Sequence, residues 1–507
     1  MRKTALHHVS ETGRFLRTTK VSDIPQVLLG PLQSWFRAGQ LHPRITVLPD
    51  NVLLEIFKFY VDEAAEDDVF PEDAWHTLVH VCQRWRFIVL ASPRRLDLHI
   101  LCTNVNQVEK NLNIWPQLPI AIEASSDISP LPGVPNIVAA LKHHHRVSKI
   151  NLCGAPNSLL KEFGAMKNSF PALTELRLQS SDAYPLVLPD SFLLGSAPCL
   201  RTLRLYGISF PALPKLFLSS SNLVELDLWD IPPSGYISPE ALTTSLSVLT
   251  KLKSLSLTHE SPPPWTDRAN SRPLPFMRVI LPSLHDFSFD GHSEYLERIV
   301  SQIEGPLLEY TWIEFSDQLP LALDTPQFRH FISRTKTFQA PNRVDIEFSI
   351  NGVRVGLFWR KGIVDYRRLE LKIPYSLSSW QISAITHVCS STLPPFPTLE
   401  RLSIYESRFM KPEWKDNIAN TQWLQLFHTF GSVKNLFLSE KLVQLVAPAL
   451  QELTGGRVTE VLPALQNLFL RGPEPSETVQ EAIGQFIDER KLSDCPVAVH
   501  CEQNSWW

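Results

Sequence analysis

One short phrase keeps returning along this chain: FPALTELRLQSS at Phe170, APCLRTLRLYGIS at Ala197, SSNLVELDLWDI at Ser220, LTKLKSLSLTHE at Leu249 and LPSLHDFSFDG at Leu281. It comes back as GPLLEYTWIEF at Gly305, YRRLELKIP at Tyr366, FPTLERLSIYES at Phe396, FGSVKNLFLSE at Phe430 and LPALQNLFLRG at Leu462. The shared pattern is Leu-x-x-Leu-x-Leu. Its second half alternates with period two, so each unit forms a short strand with leucines on one face and variable residues on the other. One unit alone leaves its leucines in water. Stacking neighbours buries them, which makes the chain a solenoid with parallel strands on its concave side.

The first aliphatic positions are Leu173, Leu200, Leu223, Leu252, Leu284 and Leu308. Their uneven steps bracket the leucine-rich-repeat period of roughly 20–29 residues, and with that spacing the array resembles leucine-rich repeats. The fold class is therefore α/β. One departure matters: where an Asn ladder would satisfy turn backbone, this chain has Ser181, Ile208, Ile231, Glu260, His292, Ser316 and Ser407. Its loops must be held differently, and an irregular solenoid follows.

The rhythm breaks once. Val344, Ile346, Phe348 and Ile350 alternate, Asn351-Gly352 intervenes, and Val353, Val355, Leu357 and Trp359 resume. This predicts a hairpin with a type I′ turn, lying in the long gap between Leu308 and Tyr366. It either replaces a repeat or decorates the solenoid. Upstream, LDLHILC, LPIAIEA and SKINLCG read as weaker strands that begin the array. Downstream, ETVQEAIGQFIDERK and PVAVH read as a helix and strand that cap its open end.

A second informative stretch precedes the array. LPDNVLLEIF is followed by AWHTLVHVCQRWRFIVL, predicting two short helices with more apolar surface than a single buried stripe requires. Leu78, Val81, Cys82 and Trp85 recur at helical steps and share a face. Between the helices lies an acidic run, Asp62, Glu63, Glu66, Asp67, Asp68, Glu72 and Asp73, expected to be a solvated loop. Leu48-Pro49, Ile56-Phe57, Leu78, Val81, Cys82, Trp85 and Arg86 resemble the F-box, over roughly a tenth of the chain. Gln83 departs from the family, which commonly has a basic residue there.

The pairing of this segment with the repeats resembles fungal-type F-box proteins with C-terminal leucine-rich repeats. That resemblance implies a substrate-recognition subunit of a Skp–cullin–F-box ubiquitin ligase. Its F-box would bind the Skp adaptor, and through it a cullin-RING ligase, while the solenoid holds an unidentified protein target. The implied adaptor-binding residues are Leu48, Pro49, Leu53, Ile56, Phe57, Leu78, Val81, Cys82 and Trp85. The resulting organisation is 1–43 a loosely ordered leader, 44–98 the F-box, and 99–145 a transition into the array. The solenoid spans 146–475, with the hairpin insertion near 343–360, and 476–507 form the cap. A non-catalytic interaction scaffold without a ligase role is the alternative.

Composition supports a binding protein. With 44% hydrophobic and 20% charged residues, the chain is ordinary globular material. A net charge of −4 without dense Lys/Arg blocks argues against nucleic acid as a partner. The seven cysteines are scattered, with no Cys-x-x-Cys pair, so neither a disulfide framework nor a zinc knuckle is indicated. The opening residues lack a secretory signal, and no run suggests a membrane span. Cytoplasmic or nuclear localisation is the expectation. His76 and His80 have zinc-protease spacing, but Thr77 stands where the general-base Glu is needed. His143-His144-His145 has no partner ligand nearby and reads as a solvated turn. No cofactor, metal or catalytic constellation is expected, and the chain reads as a non-enzyme.

Target binding then falls to the concave face. Arg177 and Arg204 come from adjacent units, Tyr206 and Trp229 share a register, and Asp227, Asp286 and Trp312 continue the surface. Tyr, Trp and Arg commonly anchor interfaces, although the same residues can pack under loops. The paired arginines admit a phosphate on the ligand.

Overall fold

The structure, a computed structural model, describes residues 48–502 except 67–70, 94, 97, 104–108, 110–111, 114–117, 126–133, 181, 183, 260–277, 317–324, 362–363, 375–377, 394–396, 413, 415–417 and 473–474. The expected leader, 1–43, lies outside the described residues. The chain divides into two units, Met1–Leu98 and His99–Trp507.

The described residues of the first unit are helical, with α1 Asp50–Glu66, α2 Pro71–Val81 and α3 Gln83–Ala91. Three helices stand where the sequence suggested two. Cys82 explains the break. Its extended backbone, φ −161° and ψ 170°, interrupts the helical run. Its Sγ accepts from Trp85 N at 3.5 Å, which caps α3. The acidic run is also not a continuous loop. Asp62, Glu63 and Glu66 continue α1, and Glu72 and Asp73 lie in the first turn of α2. Arg84 pins the start of α1, donating to Asp50 Oδ1 at 2.6 Å and to Leu48 O at 2.5 Å.

Among the described residues, the second unit is built on one sixteen-stranded sheet. Its strands are β1 Ile100–Cys102, β2 Ile120–Ser125, β3 Val147–Ala155, β4 Glu175–Ser180, β5 Thr202–Tyr206, β6 Glu225–Ile231, β7 Ser254–His259 and β8 Asp286–Gly291. They continue as β9 Tyr310–Phe315, β10 Arg343–Ser349, β11 Gly352–Lys361, β12 Val364–Pro374, β13 Arg401–Glu406, β14 Asn435–Ser439, β15 Asn467–Arg471 and β16 Ala498–Glu502. The weak upstream strands and the terminal strand thus belong to the same sheet as the repeats. Except at β11, neighbours run parallel.

Register explains the leucine pattern. Leu176, Leu203, Leu226, Leu255 and Phe287 pair in one row, and Leu178, Leu205, Leu228, Leu257 and Phe289 in the next. Each row is an interior ladder, and the first leucines of the units, Leu173 through Leu308, are fully buried behind it. Burial of this kind contributes about 2 kcal/mol per leucine before the cost of ordering the chain. The missing Asn ladder is replaced mainly by backbone. Gly207 N donates to Trp229 O, Ser316 N to Gly291 O and Ser407 N to Phe348 O, at 2.8–2.9 Å. On the opposite turns, Arg334 donates to Val300 O and Ile303 O at 2.6 Å, and Arg146 to Leu118 O at 2.9 Å.

The hairpin is part of the sheet, where it reorders the strands. Their spatial sequence there is β9–β12–β11–β10–β13. The chain leaves β9, crosses two strand positions to lay β10 parallel to β13, then returns through β11 and β12 to meet β9. The segment YRRLELKIP is therefore the third strand of a meander. The turn also differs from expectation: Ser349 pairs with Gly352, so Ile350 and Asn351 form the loop, and neither has positive φ. Gly352 instead takes φ +143°, and a Cβ there would collide with Ile373 O. A type I′ turn needs two left-handed residues; close approach of a third strand decides otherwise.

At the far end, α4 Glu440–Gln451 and α5 Glu477–Leu492 lie side by side. Arg490 of α5 has 0% exposure and donates to Val458 O, Leu465 O and Cys495 O at 3.0–3.2 Å.

Candidate functional site

In the helical unit the nine residues singled out from the sequence divide by burial. Leu53, Phe57 and Leu78 are interior, with the Phe57 ring 4.6 Å from that of Trp85, so they hold the helices together. Leu48 and Trp85 are half-buried, whereas Pro49, Ile56, Val81 and Cys82 are exposed. Sequence reasoning did not select Val52, Phe59 or Phe87, which are 39%, 64% and 72% exposed. Val52, Ile56 and Phe59 follow helical steps and make an apolar stripe along α1. The signal was present as an excess of apolar residues in α1, but which of them turn inward is a property of packing.

The second candidate surface is the side-chain-bearing face of the sheet. Register joins Asn151, Arg177, Arg204, Asp227, Ser256, Ser288 and Trp312 in one continuous row. Tyr206 and Trp229 pair in the adjacent row, and Asp286 lies beside Ser254 and Tyr310 on the other side. All seven residues chosen from the sequence are half-buried on this face. Two of their charges are paired, however. Arg204 pairs with Glu225, and Tyr206 Oη donates to Asp227 Oδ2 at 3.1 Å. Burial pushes the Asp227 carboxyl up, while hydrogen bonds from Tyr206 and Ser256 and the Arg204 charge oppose that shift. Of the two arginines, Arg204 is thus neutralised within the sheet.

An acidic patch follows. Asp290 accepts from Ser316 Oγ at 3.1 Å, and Lys372 Nζ lies 2.6 Å from Glu314. Burial, and next the Glu314 charge, raise the Asp290 carboxyl to about 7. Because the folded chain then holds this proton more tightly than the unfolded chain, stability falls as pH rises from about 4 through about 7. Asp290→Asn keeps an acceptor for Ser316 and removes the penalty. The variant should match the parent near pH 4 and exceed it by about 1 kcal/mol near pH 8, after allowance for solvent screening. Urea unfolding at the two pH values measures the difference, and an equal offset at both would exclude this origin.

The sequence reading missed the C-terminal half of the face. There Ser403, Phe437, Phe469 and His500 continue a row. The Phe437 and Phe469 rings stack at 4.2 Å, and those of Phe469 and His500 at 4.7 Å. Four arginines surround a recess of about 450 Å³ beside this ladder: Arg343, Arg367, Arg401 and Arg471. Carrying the same alternation into LERLSIYE and NLFLR locates Arg401 and Arg471. Arg343 and Arg367 arrive only through the reordered hairpin strands.

For chemistry of other kinds the structure offers little. Among the described residues no group of three His, Cys, Asp or Glu is placed to hold a metal, and no helix is long and apolar enough to cross a membrane. His143–His145 occupy the turn before β3, where His144 Nδ1 lies 2.8 Å from Ser169 O.

Fold and face define the second unit as a leucine-rich solenoid that presents a long, polar, aromatic-bearing sheet surface. No protein-family model and no curated protein matches the chain. Among solved structures, the leucine-rich repeat-containing protein LegL7 from Legionella pneumophila is similar, at 12% identity over 77% of this chain and 97% of its own, with a TM-score of 0.28. The solenoid assignment rests on the strand register of this chain itself.

Proposed function

We propose that this chain is a substrate-recognition subunit of a Skp–cullin–F-box ubiquitin ligase. The helical unit engages the Skp adaptor and the solenoid face holds a protein target. The observation that carries the reading is the apolar stripe of Val52, Ile56 and Phe59, together with exposed Val81 and Phe87, on a unit whose own core is already filled by Leu53, Phe57, Leu78 and Val79. Exposed anchors of this size, at helical spacing, suit a groove-type partner. The chain's contribution is proximity: holding a target lysine near a charged ubiquitin-conjugating enzyme raises effective concentration and needs no catalytic side chain here.

Because Phe57 is interior, Ala at that position tests folding. Ile56→Asp with Phe59→Asp tests docking. The double variant should keep the parent's helical circular dichroism and lose at least about tenfold in adaptor affinity, since burying uncompensated carboxylates in an apolar groove is strongly unfavourable. Co-purification with recombinant Skp adaptor measures this, and undiminished capture would defeat the proposal. Cullin in the captured complex, and accumulation of a target when the chain is removed, separate a ligase subunit from an interaction scaffold.

A further inference from the structure

The recess on the C-terminal half of the sheet face is assembled by the rearranged strands, and its walls carry an imbalance of charge. Arg343, Arg367, Arg401 and Arg471 line it with Asp345 and Tyr405. These four cations meet Asp345, Glu370 on Arg367 and Asp365 at 3.9 Å from Arg343, which leaves the cations one in excess.

Two aromatic rings hold the guanidinium groups in place. Arg343 and Arg367 lie over Phe358, at 4.6 and 5.1 Å from the ring centroid, and Arg401 and Arg471 over Phe437, at 4.0 and 5.1 Å. Stacked guanidiniums are pre-oriented, so little rotamer freedom remains to be lost on binding.

A β-bulge creates the arrangement. Leu357 pairs with Leu369 but Phe358 pairs with Arg367, leaving Arg368 as the extra residue. Without it, strict alternation from buried Leu369 would send Arg367 to the interior. The bulge turns it to the open face, where it donates to Glu370 at 2.7 Å. Gly356, opposite Glu370, keeps the floor open: a Cβ there would meet the Phe358 ring at 3.1 Å and Arg367 Nε at 3.3 Å.

The arginines differ in how far they are satisfied. Arg343 holds Asp345 through two hydrogen bonds of 2.5–2.7 Å, and Arg367 holds Glu370. Arg401 has no carboxylate partner among the described residues: its Nε donates to Ser403 Oγ at 3.3 Å. Burial, and next the nearby Arg343 charge, lower its guanidinium to about 10. An anion beside it would relieve both effects.

We propose that this recess is a phosphoryl-binding site, centred on Arg401 and flanked by Arg343, Arg367 and Arg471. Guanidinium forks bind phosphoryl oxygens bidentately, and Arg401, the lining arginine without a carboxylate partner among the described residues, is the one such a group would engage first. The phosphoryl group arrives either on a side chain of a bound protein or on a small phosphorylated solute. The site stands on its own geometry, independently of the adaptor reading.

Isothermal titration of the full chain with O-phosphotyrosine, inorganic phosphate and tyrosine tests it. One site is expected for the phosphorylated probes and none for tyrosine. Much tighter binding of phosphotyrosine assigns the protein-borne source, and equal binding assigns the free solute. Arg401→Gln should weaken binding at least about tenfold, Arg471→Gln should weaken it in the same direction, and Lys161→Gln, at an exposed helical position away from the recess, should leave it unchanged. Two results overturn the proposal. One is failure of the parent chain to bind either phosphorylated probe at about 20 mM, a concentration that would reveal even very weak affinity. The other is undiminished binding by both Arg401→Gln and Arg471→Gln. The N-terminal helices play no part in this titration, so its failure and failure of adaptor capture are separately visible.

Discussion

Arg490→Ala is expected to unfasten the C-terminal end of the solenoid, at a local cost of about 3–5 kcal/mol. The side chain is fully buried, and its fork reaches the carbonyls of Val458, Leu465 and Cys495, with Leu462 O and Pro463 O at 3.5 Å. Burial lowers the guanidinium's affinity for its proton, so it is the convergence of carbonyl dipoles that makes the charge tolerable there. Removing it strands several buried acceptors together. Arg490→Met should lose nearly as much despite filling the space, because it donates nothing. Arg490→Lys should retain part, since an ammonium keeps the charge but cannot span the same carbonyls.

A chain of this length need not unfold in one step, so the readout is hydrogen exchange. Protection should fall in β15 and β16 while β4 to β8 remain as in the parent, because repeat arrays transmit stability mainly to neighbours. Unchanged protection of β16 in the Met variant would show that those carbonyls find other donors.

Gly352→Ala is the second large effect. At φ +143° an L-residue is strained whatever the space, and here the added carbon would also collide with Ile373 O and sit 2.9 Å from Pro374 Cα. Both are backbone of the neighbouring strand, so relief requires moving β12 away from β11. A cost of about 3 kcal/mol or more follows. Gly195→Ala is the matched comparison, with φ +66° and nothing within 4 Å of its Cβ. It should cost only about 1 kcal/mol. If the two variants exchange alike across β10 to β12, the close approach is not what glycine is needed for.

The alternation that produced the leucine ladders was plain in single units, since Leu176 and Leu178 need only their own strand to share a face. Arg177 beside Arg204 and Tyr206 beside Trp229 followed from the same register. What sequence did not disclose was the partnership of those charges: Glu225 and Asp227 take up Arg204 and Tyr206 across strands, and only paired coordinates reveal it. Phe57 illustrates a different gap. It carries the same helical signature as Ile56, yet one lies against Trp85 and the other faces outward. Type and spacing identify an apolar face, while the neighbouring helix selects which part of it is covered.

By itself, then, the order of residues determined a stacked, leucine-filled sheet with a polar opposite face, because period-two alternation and a recurring unit are local properties that each segment states alone. Tertiary structure decided the strand order β9–β12–β11–β10–β13, and with it the arginine recess. Arg343 and Arg401 are far apart along the chain and lie opposite each other in the sheet. No periodicity encodes that meeting. It results from a crossover that places β10 against β13, and from a single bulged residue that turns Arg367 out of the core.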